Sequence, residues 1–254
     1  MADLSIWTES SFCHKNITGE LKETIEGNLL TNQHLLYIKE ITNMISTAEA
    51  RLGRTMSLWV AITAVLGLVV GFVLIGPDSD GYSEQWGLLN GVVNFASNFA
   101  EVAMVIFAIK LFNIDDNPLL KLLSYITIVG VSISVTMSIS PAAHAAGGWT
   151  GSSFSPTEIG DIEGAVTYGT WFVFPVWVLL VSLKERGGNL LPSWGSMAGI
   201  GASALILVVN FVFLLNLLDD NLIETVIPFI WIIGGVILYP TFALGVSRAF
   251  ASKM

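Results

Sequence analysis

The chain has 254 residues, of which 53% are hydrophobic and only 12% are charged. Because soluble domains average about 25% charged residues, this composition predicts a protein of the lipid bilayer. The net charge of −9 argues against nucleic acid as a partner, and a single cysteine, Cys13, excludes an internal disulfide and a cysteine-based metal site. The three histidines are too scattered for a haem or di-metal centre, so no cofactor or metal is expected.

The first predicted element is a cytoplasmic lead-in over residues 1–54. Apolar residues recur three or four apart between positions 35 and 52, which predicts an amphipathic helix: Leu35, Ile38, Ile41, Ile45, Ala48 and Leu52. This helix 35–52 either lies on the inner leaflet or pairs with a second copy or another membrane protein. The stripe is shorter than the three or four heptads of a coiled coil, which favours the leaflet.

Six segments in residues 55–254 are long and apolar enough to cross a bilayer core of about 30 Å. They are Met56–Ile75, Gly87–Phe112, Leu119–Ser140, Gly164–Leu183, Met197–Leu218 and Thr225–Phe250. The predicted fold class is therefore all-α: a six-span transmembrane helix bundle behind an N-terminal cytoplasmic amphipathic helix.

The basic residues give this bundle an orientation, because cytoplasmic loops retain Lys and Arg. All of them fall on the side shared by both termini and the second and fourth loops: Lys15, Lys22, Lys39, Arg51, Arg54, Lys110, Lys121, Lys184, Arg186, Arg248 and Lys253. We therefore expect a multi-pass protein of the cell (inner, cytoplasmic) membrane with both termini in the cytoplasm.

Small residues and prolines predict local features of the helices. The pairs Gly67–Gly71 and Gly195–Gly199 have the G-x-x-x-G spacing that allows helix backbones to approach closely, so both pairs predict tight packing. Pro175 and Pro240 lie inside predicted spans. Their helices are expected to kink there, with neighbouring groups satisfying the freed carbonyls.

The second span carries an acid near its middle, Glu101. On a helix, Asn90, Asn94, Ser97 and Glu101 share one narrow face, and Asn98 borders it. A central acid costs about 2.5–3.5 kcal/mol on insertion scales, so such a stripe must face the bundle interior or a water-filled cavity.

No Lys or Arg lies deep within a span, where it could pair with Glu101. Possible hydrogen-bond partners on other helices are Ser132, Ser134, Thr136 and Asn210. The stripe is either a proton- or cation-responsive site that opens outward, or a neutral Glu that holds neighbouring helices together. The two interpretations are equally supported by the sequence.

Two polar links resemble each other: "LFNIDDNPLL" at Leu111–Leu120 and "LLNLLDDNLI" at Leu214–Ile223. An inverted repeat of three spans, as in many secondary transporters, would explain the likeness. Asp and Asn also recur freely in turns and helix caps, and this simpler explanation is favoured.

The segment "WFVFPVWVLLVSLKERGGNLLPSWGSMAGIGASALILVV" joins an aromatic span to a basic loop and a small-residue helix through Leu191, Pro192, Trp194 and Gly195. With the ending "IIGGVILYPTFALGVSRAF" it resembles a group of small six-span prokaryotic membrane proteins classed as a domain of unknown function. The resemblance implies the bundle fold and no activity or catalytic residue.

The sequence leaves three function classes. An accessory or interaction subunit of a membrane complex is favoured by the short loops, the lead-in helix and the lack of a catalytic motif. A small transporter or channel with its site at Glu101 is the alternative. An enzyme is not expected, because His144 is the only histidine on the outer side and no nucleophile motif surrounds it.

Overall fold

A computed structural model describes residues 45–75, 86–138, 169–188, 190–215, 226 and 229–254. Within these residues the regular secondary structure is entirely helical, which confirms the all-α class. The elements are α1 (Thr47–Leu68) continuing as a π-helix (Val69–Ile75), α2 (Gly87–Leu111), a 3₁₀ turn (Ile114–Asp116), α3 (Pro118–Ser138), α4 (Thr170–Glu185), α5 (Ser193–Leu215), and a π-helix (Ile232–Leu238) that leads into α6 (Tyr239–Ala251).

Five described segments are long and apolar enough to cross a membrane: Thr47–Gly71, Gly87–Leu111, Pro118–Ser138, Ser193–Leu215 and Phe229–Ala251. They are compatible with a multi-pass membrane protein. The fourth predicted span corresponds to α4, whose 16 described residues are too few to count as a span on their own. Residues 164–168 of that prediction lie outside the described part, so the count of six stays a prediction.

The start of α1 differs from the prediction. Ser46 is extended and caps the helix: its Oγ accepts from the Glu49 N–H at 3.2 Å, and its own N–H donates to Glu49 Oε2 at 2.9 Å. This capping box begins α1 at Thr47, so the predicted helix 35–52 does not run unbroken through Ser46. Residues 1–44 lie outside the described part, and the division at residue 54 stays a prediction, although α1 runs across it.

The six described helices pack as a closed ring. Each packs against the next along the chain, and α6 packs back against α1. The start of α1 lies beside the end of α2, where Lys110 Nζ is 2.6 Å from Glu49 Oε1, and beside the end of α6, where the Phe250 ring contacts Gly53. At the same end, Lys184 of α4 donates to the carbonyl oxygens of Phe112 and Asn113.

We call this end of the ring, formed by the starts of α1, α3 and α5 and the ends of α2, α4 and α6, the basic end. The opposite end is the distal end. Every described Lys and Arg lies at the basic end: Arg51, Arg54, Lys110, Lys121, Lys184, Arg186, Arg248 and Lys253. All described basic residues thus lie at one end of the bundle, as predicted for helices that alternate in direction.

The half of the bundle nearer the basic end is tightly packed. Met104, Val105, Phe242 and Phe250 are fully buried, and so is Trp177, whose Nε1 donates to Ser124 Oγ at 2.8 Å. Such packing closes the centre of the ring on this side.

The two glycine pairs have different surroundings. A Cβ on Gly195 would lie 3.1 Å from the Gly245 Cα, and one on Gly199 would overlap Ser182 Oγ and lie 2.6 Å from Phe242 Cδ2. Tight packing is therefore confirmed for this pair. Among the described residues no such contact is found for Gly67 and Gly71, where a Cβ would have no described atom within 4 Å. Spacing alone does not distinguish a glycine that touches a helix from one that borders open space.

Pro175 lies inside α4 and has no N–H to offer the Trp171 carbonyl one turn earlier. The side chain of Asn210 on α5, itself buried, donates its Nδ2–H to that carbonyl oxygen. The neighbouring helix thus satisfies the group that the proline frees, as expected for a proline in a membrane helix.

We expect Asn210→Leu to lower the free energy of unfolding by about 1–3 kcal/mol, because the Trp171 carbonyl loses this donor. In a Pro175→Ala background the restored backbone N–H can donate to the same carbonyl, so the cost of Asn210→Leu should shrink. A double-mutant cycle of unfolding in micelles measures this coupling. Equal costs in both backgrounds would show that Asn210 acts elsewhere.

Candidate functional site

A cavity of about 640 Å³ lies inside the ring, in the half of the bundle nearer the distal end. All six described helical segments line it, through residues that include Gly67 of α1, Ser97 of α2, Ser134 of α3, Phe174 of α4, Ser203 of α5 and Tyr239 of α6. Its volume is within the usual range for small-molecule sites, about 300–1,000 Å³.

Glu101 lies at the deep end of this cavity and is held by one residue of another helix. Tyr239 donates its phenolic O–H to Glu101 Oε1 at 2.8 Å. Both residues are near the middle of their segments, Gly87–Leu111 and Phe229–Ala251. The hydrogen bond therefore joins α2 to α6 at the centre of the bundle.

Tyr239 was not among the residues predicted for this site from the sequence. The signal was present, because a tyrosine in the middle of an apolar span must find a partner for its hydroxyl. Pairing it with the one acid in a span would have predicted this contact.

Most of the predicted polar stripe lines the cavity. Asn94, Ser97, Asn98 and Glu101 are among the lining residues. Asn98 Nδ2 donates to Ser138 Oγ on α3 at 2.8 Å, and Asn94 Nδ2 donates to Asn90 Oδ1 at 3.4 Å. The last contact ties Asn90 to the stripe, although Asn90 is not among the described lining residues. The role of the stripe in binding stays a prediction.

The described partner of Glu101 is Tyr239, and none of the four residues suggested by the sequence. Ser134 lines the same cavity, whereas Ser132 and Thr136 are not among its described lining residues. Thr136 Oγ1 donates to the Ile133 carbonyl of its own helix, and Asn210 holds the Trp171 carbonyl. A hydroxyl in a helix often donates to a carbonyl of its own helix, as Thr136 does, and sequence periodicity does not reveal this contact.

Aromatic rings from α4 and from the α6 segment form another part of the cavity wall. Trp171 and Trp231 meet edge to face with ring centroids 5.6 Å apart, and Phe174 and Tyr239 meet in the same way at 5.6 Å. All four line the cavity. The cavity therefore has a polar wall of amides and hydroxyls and an aromatic wall.

The backbone beside Tyr239 is unusual. The π-helix Ile232–Leu238 ends where Tyr239 begins, and Pro240 follows. Because Pro240 has no N–H and its ring crowds the preceding turn, the regular ladder cannot continue there, and the wider turn accommodates it. Ile232, Gly235 and Val236 of this π-helix also line the cavity, so the irregular backbone faces the open space.

Two polar atoms on the cavity have unused bonding capacity. Glu101 has Tyr239 as its one described hydrogen-bond partner, which leaves Oε2 free to accept from a ligand. Ser203 Oγ, on a side chain only 1% exposed, has no partner among the described residues. Both atoms can therefore bond a polar ligand in the cavity.

A second buried acid, Glu185, lies at the basic end and is not among the described lining residues. Burial raises the pKa of the Glu185 carboxyl, against the opposing effects of Lys184 and of the Leu191 backbone N–H that donates to it. This acid belongs to the packed α4–α5 turn and provides a useful comparison for Glu101.

The described residues contain no cluster of three or more His, Cys, Asp or Glu side chains that could hold a metal ion. Comparisons with protein-family models, curated proteins and solved structures found no match. The resemblance to a group of six-span membrane proteins therefore stays a prediction, as does the absence of enzymatic activity.

Proposed function

We propose that the chain is a small membrane transporter that binds its cargo in the central cavity, with Glu101 as the cation- or proton-binding group. The observation that carries the proposal is the cavity itself: six helical segments surround it, and among its described lining residues one carboxylate, Glu101, lies near the middle of its span. Secondary transporters bind substrates near the bilayer midplane, between helices with irregular backbone. The two π-helices that contribute Gly71 and Gly235 to the lining fit that description.

The packing between the cavity and the basic end favours a transporter over an open channel. Met104, Val105 and Phe242 are fully buried between the cavity and the basic end. A continuous pore would need an opening there. A transporter needs only that this half opens when the other half closes. By the positive-inside rule the basic end is the cytoplasmic one, so the described cavity lies in the outer half of the bundle.

The accessory-subunit interpretation gives no reason for a cavity of this size. Neutral polar glue would be expected to exclude voids, because helix association in lipid depends on close packing. Here Gly67 and Gly71 line the cavity and have no described atom within 4 Å of a Cβ position. The cavity is more simply explained by a ligand than by a partner helix.

The test is the accessibility of the cavity from the two sides of the membrane. With Cys13 replaced by serine, Ser97→Cys and Ser134→Cys each place one thiol on the cavity wall. We expect a membrane-impermeant thiosulfonate to label both positions from either side of oriented vesicles, because alternating access exposes one site to both.

Val129→Cys is the matched control, because Val129 is exposed in the middle of α3 and is not among the described residues that line the cavity, so lipid should keep an impermeant reagent from its thiol. Labelling from one side only, or from neither, would contradict transport. With co-purification of a stoichiometric partner, that result would support the accessory subunit.

A further inference from the structure

The cavity joins one negative charge to an aromatic wall. Glu101 is the only charged side chain among the described residues that line it, so a bound ligand meets no described cationic side chain there. Trp171, Phe174, Trp231 and Tyr239 supply the rings. A cation is attracted both by a carboxylate and by ring faces, whereas an anion is repelled by both.

A divalent inorganic ion is a poor match for this donor set. Ca²⁺ takes six to eight oxygen ligands and Mg²⁺ six, with carboxylates prominent among them. The described lining offers one carboxylate, amides and hydroxyls on one wall, and rings on the other. The rings supply no oxygen ligand to a divalent ion, but they are well suited to an apolar group attached to a cation.

Resting on the proposed function, we infer that the cargo is an organic monocation with an aromatic or aliphatic body. Its charge lies at Glu101 Oε2, the oxygen that Tyr239 does not occupy. Its body lies against the edge-to-face pair Trp171–Trp231, whose centroids are 5.6 Å apart. Ser203 Oγ provides an additional polar contact for a ligand that carries a donor.

The probes are tetraphenylphosphonium and tetraphenylborate, which have nearly the same shape and opposite charge. Equilibrium dialysis against the purified full chain in detergent measures both. We expect saturable binding of the phosphonium and none of the borate. Glu101→Gln keeps an oxygen for the Tyr239 hydroxyl and removes the charge, so phosphonium affinity should fall at least about tenfold. Trp231→Ala should weaken it similarly, with partial recovery in Trp231→Phe.

Asp115→Asn is the control, because Asp115 is a carboxylate at the basic end, paired with Lys121 and remote from the cavity. It should bind the phosphonium like the wild type. Size-exclusion profiles and thermal unfolding verify that each variant is folded. Equal binding of both probes, or unchanged binding in a folded Glu101→Gln variant, would overturn the inference.

The experiments can contradict either of the two proposals without contradicting the other. If the thiols on the cavity wall react from both sides while the phosphonium does not bind, transport stands and its cargo is of another chemical class. If the phosphonium binds through Glu101 while the thiols react from one side only, the cation site stands and transport fails.

Discussion

Gly199→Val is expected to lose about 3 kcal/mol of stability, while Gly67→Val unfolds like the wild type. A side chain at Gly199 would overlap Ser182 Oγ and the Phe242 ring, and all three groups lie in the packed half of the bundle. Overpacking of such a site costs about 1–3 kcal/mol, occasionally more. At Gly67 a Cβ would have no described atom within 4 Å, because that residue lines the cavity.

The pair is well matched because both glycines lie in membrane-spanning helices and receive the same β-branched side chain. Any change in intrinsic helix propensity is therefore shared between them. Unfolding of both variants in mixed micelles gives the comparison. Equal losses of stability would mean that Gly67 is packed against protein and that the cavity is smaller than described.

A larger side chain at Gly67 is expected to have a large effect on ligand binding. Gly67→Phe should leave the bundle folded and reduce tetraphenylphosphonium affinity by about tenfold or more, equivalent to at least about 1.4 kcal/mol. The ring would occupy space that the ligand needs, since Gly67 faces the cavity with no described atom near its Cβ position.

Gly187→Phe is the control for this experiment. Gly187 also has open space around it, but it is exposed in the turn after α4, outside the described cavity lining. Its variant should bind the phosphonium normally. If Gly67→Phe binds as tightly as the wild type, the phosphonium occupies another part of the molecule.

Much of the fold follows from the sequence because hydropathy and helical periodicity are local properties. The spans around Gly87–Leu111 and Pro118–Ser138 were predicted within a few residues. The orientation of the Glu101 face was also predictable, since a polar stripe in hydrocarbon must turn inward. Asn94, Ser97 and Asn98 lie on the cavity for that reason.

Contacts between helices were less predictable, because they depend on rotation and depth that no single helix encodes. The partner of Glu101 is Tyr239, far along the chain, and the residues first considered have other contacts or none described. The spacing of Gly67 and Gly71 matched that of Gly195 and Gly199, yet the first pair borders open space. The start of α1 depended on the reciprocal cap of Ser46 and Glu49, which hydropathy does not register.

The most direct measurement of the central claim is the reaction of dicyclohexylcarbodiimide with the full chain in membranes. This reagent partitions into apolar sites and converts protonated carboxyls to stable acylureas, which peptide mass spectrometry locates. Glu101 lines the cavity, whereas Glu185 is not among the described lining residues. We therefore expect modification of Glu101 in the wild type, weaker modification in Gly67→Phe and none in Glu101→Gln. An unmodified Glu101 in a sample whose Glu185 has reacted would contradict this expectation.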